Sequence, residues 1–326
     1  MRPQSIVSLI VAVLLVIVGL VTCMIAQNMA QANGEYLFSE IRGEDNVQTV
    51  DLTDSEISKI ELIVEDAEIN IYGKSEKSYI EFVNFKENYY SLSATNRILS
   101  FDEIPDLMSM LKFWENGFSF KGMRYILNFS GTTEEAENRQ KSINVYLTKD
   151  KLIKIFDIQT KTGTITIRDM VTETDYNIIA EDATVNISTL KTSSALNINT
   201  GSDANPVDPA KNLNLNLTTA FINNLSVNAE NLQMTANLFR CSGNGAIICN
   251  TGAVSIDSVT DTAEMNLEIR SAGGFVHIDG ETVSPPYNHI GSESNPGKLS
   301  INTVTANVSI RSANPAPNSD GTSAGK

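Results

Sequence analysis

Few residues in this chain have the type and spacing that chemistry requires. His277 and Asp279 alternate along one short stretch, so they would share a strand face, as an acid–base or metal pair does. A single His and a single Asp on a solvent face ordinarily serve as polar cover, and we give them no role. Asp203, Asn205 and Asp208, in the loop 201–212, offer oxygens that calcium accepts. Their order lacks the glycine and the closing Glu of an EF-hand loop. Gly321-Thr322-Ser323-Ala324-Gly325 reads as G-x-S-x-G, but a nucleophile elbow needs a strand before the Ser and a helix after it. This string instead follows Asn314-Pro315-Ala316-Pro317, inside a stretch 312–326 whose composition is that of a disordered tail. Cys241 and Cys249 could pair in an oxidising compartment; alternatively Cys249, which alternates with Ile247, is a small core residue. Only His277 and His289 exist and no C-x-x-C is present, so four zinc ligands cannot be assembled. The expectation is therefore no catalytic, cofactor-binding or metal residue, no cofactor and no enzymatic activity.

The elements that would position any site are short strands. From residue 142 onward, aliphatic pairs enclose one Asn, Ser or Thr, as in Val185-Asn186-Ile187, Leu196-Asn197-Ile198, Leu225-Ser226-Val227 and Val308-Ser309-Ile310. Alternation of this kind marks strands with one buried face, and their separation is about 10 residues or twice that. One such strand cannot bury its apolar side alone, whereas stacked copies share a continuous core. The reading is all-β, a β-solenoid over residues 142–311, with a β-sandwich as the alternative. Residues 56–141 read as a β-rich first part: two strands meet at an acidic turn within 60–73, and Tyr79–Phe85 follows as a third. Pro105 with Ile104, Leu107, Met108 and Leu111 at helical spacing predicts a short helix near 104–115. Phe113, Trp114 and Phe118 beside it form either an interaction patch or a stripe packed on the sheet.

Residues 6–26 form an unbroken apolar run, long enough at about 1.5 Å per residue to cross roughly 30 Å of hydrocarbon. The run predicts a signal-anchor helix over 5–26, a cytoplasmic N-terminus at 1–4, a polar stalk over 27–55 and an extracytoplasmic body, because Arg2 is the only cation before the run. Ala30-Gln31-Ala32 gives a second reading, cleavage after Ala32 and secretion, and Leu20-Val21-Thr22-Cys23 resembles a lipoprotein box. The chain has 24 Lys and Arg against 39 Asp and Glu, a formal charge of −15. A nucleic-acid backbone would be repelled. The partners expected are the membrane through residues 5–26 and an envelope polymer or membrane proteins.

Ile143-Asn144-Val145-Tyr146-Leu147, followed by Phe156-Asp157-Ile158-Gln159-Thr160-Lys161-Thr162-Gly163-Thr164-Ile165-Thr166-Ile167, resembles the putative-adhesin family of bacterial β-strand repeat proteins. The stretch 60–73 is similar to that family's first strands. Thr148 and Lys149 stand where the family often has a proline, and the stretch near Pro105 is a further departure. The resemblance implies a bacterial envelope protein with an anchor and an outward β-solenoid, and it brings no catalytic residues. Two functions follow as expectations: adhesion through the polar strand faces, or an accessory role in envelope-stress signalling through membrane-proximal contacts.

Overall fold

The computed structural model of the chain describes residues 46–85, 90–103, 140–171, 173–191, 193–200, 211–292 and 297–313. The chain divides into two units. One comprises Met1–Asn46 with Thr132–Asn138 and, apart from Asn46, lies outside the described residues; the other comprises Val47–Gly131 with Arg139–Lys326 and holds every strand among the described residues. In chain order these are β1 (Val47–Asp51), β2 (Lys59–Tyr72), β3 (Tyr79–Val83), β4 (Tyr90–Thr95), β5 (Ile98–Glu103), β6 (Ser142–Tyr146), β7 (Ile155–Val171), β8 (Asp175–Lys191) and β9 (Ala195–Asn199). They continue as β10 (Asn212–Ile222), β11 (Asn224–Cys241), β12 (Asn244–Ser258), β13 (Asn266–Ser271), β14 (Val276–Ile278), β15 (Glu281–Val283), β16 (Tyr287–His289), β17 (Lys298–Thr303) and β18 (Asn307–Ser312). The described part is all-β, relieved by a 3-10 turn at Thr262–Glu264.

Alternation of aliphatic and polar residues makes each segment a strand, and parallel in-register pairing makes each strand the floor of the next. β2 pairs with β7, β7 with β8, β8 with β9 and β10, these with β11, and β11 with β12. Strands on either side of residue 141 therefore pair directly. Equivalent residues recur every 20 or 19 positions, as Asn197 over Asn177 and Asn231 over Asn212. The step is 30 between Asn186 and Asn216, because residues 201–210 are inserted between β9 and β10, which together make one tier. The 10-residue spacing legible in the sequence is thus half a tier, one side of it.

The inward residues form columns of stacked side chains, among them one apolar column on each side. On the first side Ile60, Phe156, Tyr176, Leu196 and Leu225 follow one another; on the second, Ile69, Ile165, Val185, Leu215, Met234 and Val254 do. All are buried and belong to one core. The Phe156 and Tyr176 rings lie parallel with centroids 5.5 Å apart. Between the sides the chain bends without breaking. Residues 60–72, read as two strands meeting at a turn, lie in one strand, β2, whose bend falls at Asp66–Ala67 over Thr162 and Gly163 of β7. Gly163 has φ +114°, and a Cβ there would lie 2.3 Å from the Ala67 carbonyl oxygen.

A second bend follows the second side. Asp169, Thr189, Thr219 and Leu238 occupy equivalent positions on β7, β8, β10 and β11, and each is left-handed, with φ between 49° and 58°. β12 has no such residue: its register with β11 shifts between Ala236 and Phe239, so Leu238 is the extra one. The ends of the stack change direction. β1, β3 and β6 are paired antiparallel, as are β4 with β5, β13 with β16 and β14 with β15.

Tier order departs from chain order at the C-terminal end. β17 and β18 lie between β12 on one side and β13 and β14 on the other, parallel to both. The chain builds its outermost parallel tier first and then returns to fill the gap.

No helix among the described residues is long and apolar enough to cross a membrane, which overturns the expected single-pass localisation. The physical reason is periodicity: described apolar residues alternate with polar ones along strands, so they line the interior and form no continuous apolar helix. The run 5–26 on which that expectation rested, the Ala32 cleavage site, the expected helix at 104–115 and the tail from 314 all lie outside the described residues.

Candidate functional site

The outward positions of the second side make the most uniform surface of the stack. On β8 they are Thr184, Asn186 and Ser188; on β10, Asn214, Asn216 and Thr218; on β11, Gln233, Thr235 and Asn237. None is charged, in a chain of net charge −15. Thr164 and Thr166 of β7 and Ala253 and Ser255 of β12 extend two of the three rows without charge, while the third row, through Ser188, continues to Arg168 on β7. Side-chain amides pair along the stack: Asn216 Nδ2 donates to Asn186 Oδ1 at 2.9 Å, and Asn70 Nδ2 to Asn144 Oδ1 at 3.0 Å. Such ladders fix amide orientation, so each exposed Asn presents its remaining donor and acceptor in a set direction. Beyond Arg168 that third row becomes aromatic toward β3. Tyr79, Tyr146 and Tyr72 stack with centroids 4.6 and 5.3 Å apart, and burial holds the Tyr146 hydroxyl above the usual phenol range.

The first side differs. Its ladder runs Asn197 to Asn177 to Asp157, with bonds of 2.9 and 2.7 Å, and ends in Lys59 between Asp157 and Glu61 at 2.6 and 2.7 Å. Lys59 offsets one of these two carboxylates and bridges both. The arrangement reads as structural, whereas the neutral face of β8, β10 and β11 has hydrogen-bonding capacity left over for a ligand.

No family model matches this chain, and no curated protein matches it. Solved structures do. The chain is similar to a "putative cell adhesion protein" from Clostridium sporogenes at 14% identity and TM-score 0.33, covering 82% of this chain and 99% of that one. It is similar to a "putative adhesin" from Parabacteroides distasonis at 10% identity and TM-score 0.35, over 83% and 98% of the two chains. A "putative adhesin" from Bacteroides fragilis aligns at 12% identity and TM-score 0.34, over 81% and 97%. At these TM-scores the likenesses carry no argument about function. The family resemblance read from residues 143–169 thus meets structures bearing that family's name and no family model.

The residues singled out in the sequence are dispersed by the fold. His277 and Asp279 do not meet a common ligand: His277 Nδ1 lies 3.2 Å from Thr282 Oγ1, while Asp279 Oδ1 accepts from the Ser312 N–H at 2.7 Å and Oδ2 bonds the Thr262 hydroxyl. Asp279 is a clasp between the 3-10 turn, β14 and the end of β18. Cys241 and Cys249 are both free thiols. Cys249 stacks between Ala229 and Thr303 in a narrow inward column, and burial pushes its thiol up to about 11. The Cys241 thiol donates to the Asn223 carbonyl at 3.1 Å, and burial raises it too. Phe113, Trp114, Phe118, Asp203, Asn205, Asp208 and the 321–325 string lie outside the described residues. The signalling alternative rested on 5–26 and 113–118 and is not carried further. What sequence reading missed is the neutral face itself. Its strands are visible as Asn- and Thr-bearing pairs, but only the 30-residue step across 201–210 brings β8 beside β10.

Proposed function

We propose that this chain is a β-solenoid that acts by binding rather than by catalysis, an adhesive module whose neutral second side takes up a polymer of uncharged sugars. The observation that carries the reading is the absence of charge at every outward second-side position of β8, β10 and β11, among strands spaced about 4.8 Å apart. Sugar hydroxyls donate and accept, as amides and hydroxyls do, and a neutral polymer has nothing for a charged face to hold. Beyond Arg168 in the same row, Tyr72, Tyr146 and Tyr79 supply apolar ring surface with a polar tip, the usual complement to a sugar ring. Each contact is weak, and repetition along the stack multiplies them through effective concentration.

The test is retention of the full chain on insoluble neutral glycans, an N-acetylated β-glycan and a plain β-glucan, against a charged control matrix. The wild type is expected to be retained on at least one neutral glycan, and Asn216→Glu with Thr235→Glu to reduce that retention tenfold or more while the thermal midpoint stays put. Retention unaffected by both substitutions, or absent on every neutral glycan, defeats the reading.

A further inference from the structure

Beyond the second bend, the outward row changes character. Val171, Lys191, Phe221 and Arg240 pair in register on β7, β8, β10 and β11, and Val259 continues the row where its N–H donates to the Phe239 carbonyl. Lys191, Phe221, Arg240 and Val259, with Ser193 and Ser242, border an open groove of about 550 Å³. The Lys191 ammonium sits 5.4 Å from the Phe221 ring centroid. Neither Lys191 nor Arg240 has an acidic partner among the described residues, and no described residue bordering the groove is acidic. In a chain with a charge of −15, two unneutralised cations flanking an aromatic ring need an explanation.

We propose that Lys191, Phe221 and Arg240 form a binding site for a carboxylated sugar of an acidic polysaccharide. The two cations stand two strand spacings apart, roughly 10 Å. A bare phosphate would use the cations and ignore the ring and the valines, and a neutral sugar would use the ring and ignore the cations. A uronate uses both: its apolar ring face lies against Phe221, and its carboxylate is held by the planar Arg240 fork, which matches a carboxylate two bonds at a time. The Ser193 and Ser242 hydroxyls take the sugar hydroxyls, and Lys191 meets a second carboxylate along the polymer. This site goes beyond the neutral-face reading: it takes a different, charged polymer and shares with that reading only the premise that the ligand is a polysaccharide.

The experiment is calorimetric titration of the full chain with three probes: a hexamer of galacturonate, the same oligosaccharide with its carboxylates reduced to alcohols, and poly(glycerol phosphate). The galacturonate hexamer is expected to bind with an affinity that falls as salt rises. Arg240→Ala and Lys191→Ala should each weaken it tenfold or more and Phe221→Leu fivefold or more, with unchanged thermal midpoints. The reduced oligosaccharide should bind at least tenfold more weakly. Equal binding of poly(glycerol phosphate) overturns the proposal in favour of a general anion site, and so does galacturonate binding unmoved by Lys191→Ala with Arg240→Ala. No galacturonate binding at all overturns it outright. Asn216→Glu with Thr235→Glu should leave galacturonate binding intact; loss in that variant places the ligand on the second side and overturns the site while sparing the neutral face. Persistence of galacturonate binding in a chain that ignores neutral glycans retains the site and removes the neutral-face reading.

Discussion

Tyr176 stands in the middle of the first-side column with its hydroxyl buried and without a hydrogen bond of ordinary geometry. Burial drives that phenol far above its usual pKa, opposed slightly by the neighbouring Thr174, whose own hydroxyl donates to the Ile153 carbonyl at 2.7 Å. A buried polar atom left unpaired costs about 1–3 kcal/mol. Tyr176→Phe keeps the ring stacked on Phe156 and should therefore leave stability unchanged or raise it by about 1 kcal/mol in urea denaturation. Cys249 gives a pH dependence. Its thiol has a raised pKa when folded, so between the ordinary value near 9.0 and about 11 the unfolded chain has lost a proton that the folded chain retains. Stability conferred by the buried thiol is complete below pH 9 and declines as pH climbs through that window. Cys249→Ala should flatten the decline in melts between pH 8 and 11. At Glu268 the sign is opposite. Hydrogen bonds from Lys298 and Arg270 hold its carboxyl below the ordinary range, so its help to the β13–β17 pairing is present at neutral pH and fades as acid protonates it.

At the scale of elements, the second bend is where the strands carry strain. Four non-glycine residues in the left-handed region, two of them β-branched threonines, cost on the order of 1–2 kcal/mol each relative to a residue at ease there. Thr189→Gly should consequently raise the urea midpoint. Gly163 shows the converse: with φ +114° and the Ala67 carbonyl against it, Gly163→Ala should lose more than about 1 kcal/mol. The sequence foretold these elements unevenly. Inward aliphatics and outward Asn or Thr were plain from alternation, because period two is written into adjacent residues. The second bend was not, since Asp169, Thr189, Thr219 and Leu238 have no one residue type in common, and their conformation is imposed by the register of the strands on either side. Nor could sequence show that β9 and β10 form one tier, or that Lys191, Phe221 and Arg240 stand in a row: those neighbours are 19 to 30 positions apart and meet only when the stack closes.

For the whole molecule, the order of tiers decides how damage spreads. β17 and β18 bond the stack below through β12 and the last tier above through β13 and β14, so the terminal tier is held to the rest by residues that come after it in the chain. The two clasps point the same way, Asp279 to Ser312 and Glu268 to Lys298. Substituting Ile301→Asp, at a fully buried position of β17, should abolish hydrogen-exchange protection of residues 262–291 while β7, β8 and β11 keep theirs, because each tier contacts only its neighbours. The returning pair also sets a clock. As the chain leaves the ribosome, each tier from β7 to β12 can settle on the one already formed, but β13 and β14 emerge with no floor beneath them and must wait for the residues up to 312. During that interval two open parallel edges of matching register face solvent, and the strand pair that seals them fastest is the one on the same chain. Slow synthesis through this stretch, or crowding of unfinished chains, would lengthen the exposure and offer the vacancy to a neighbour's strands instead.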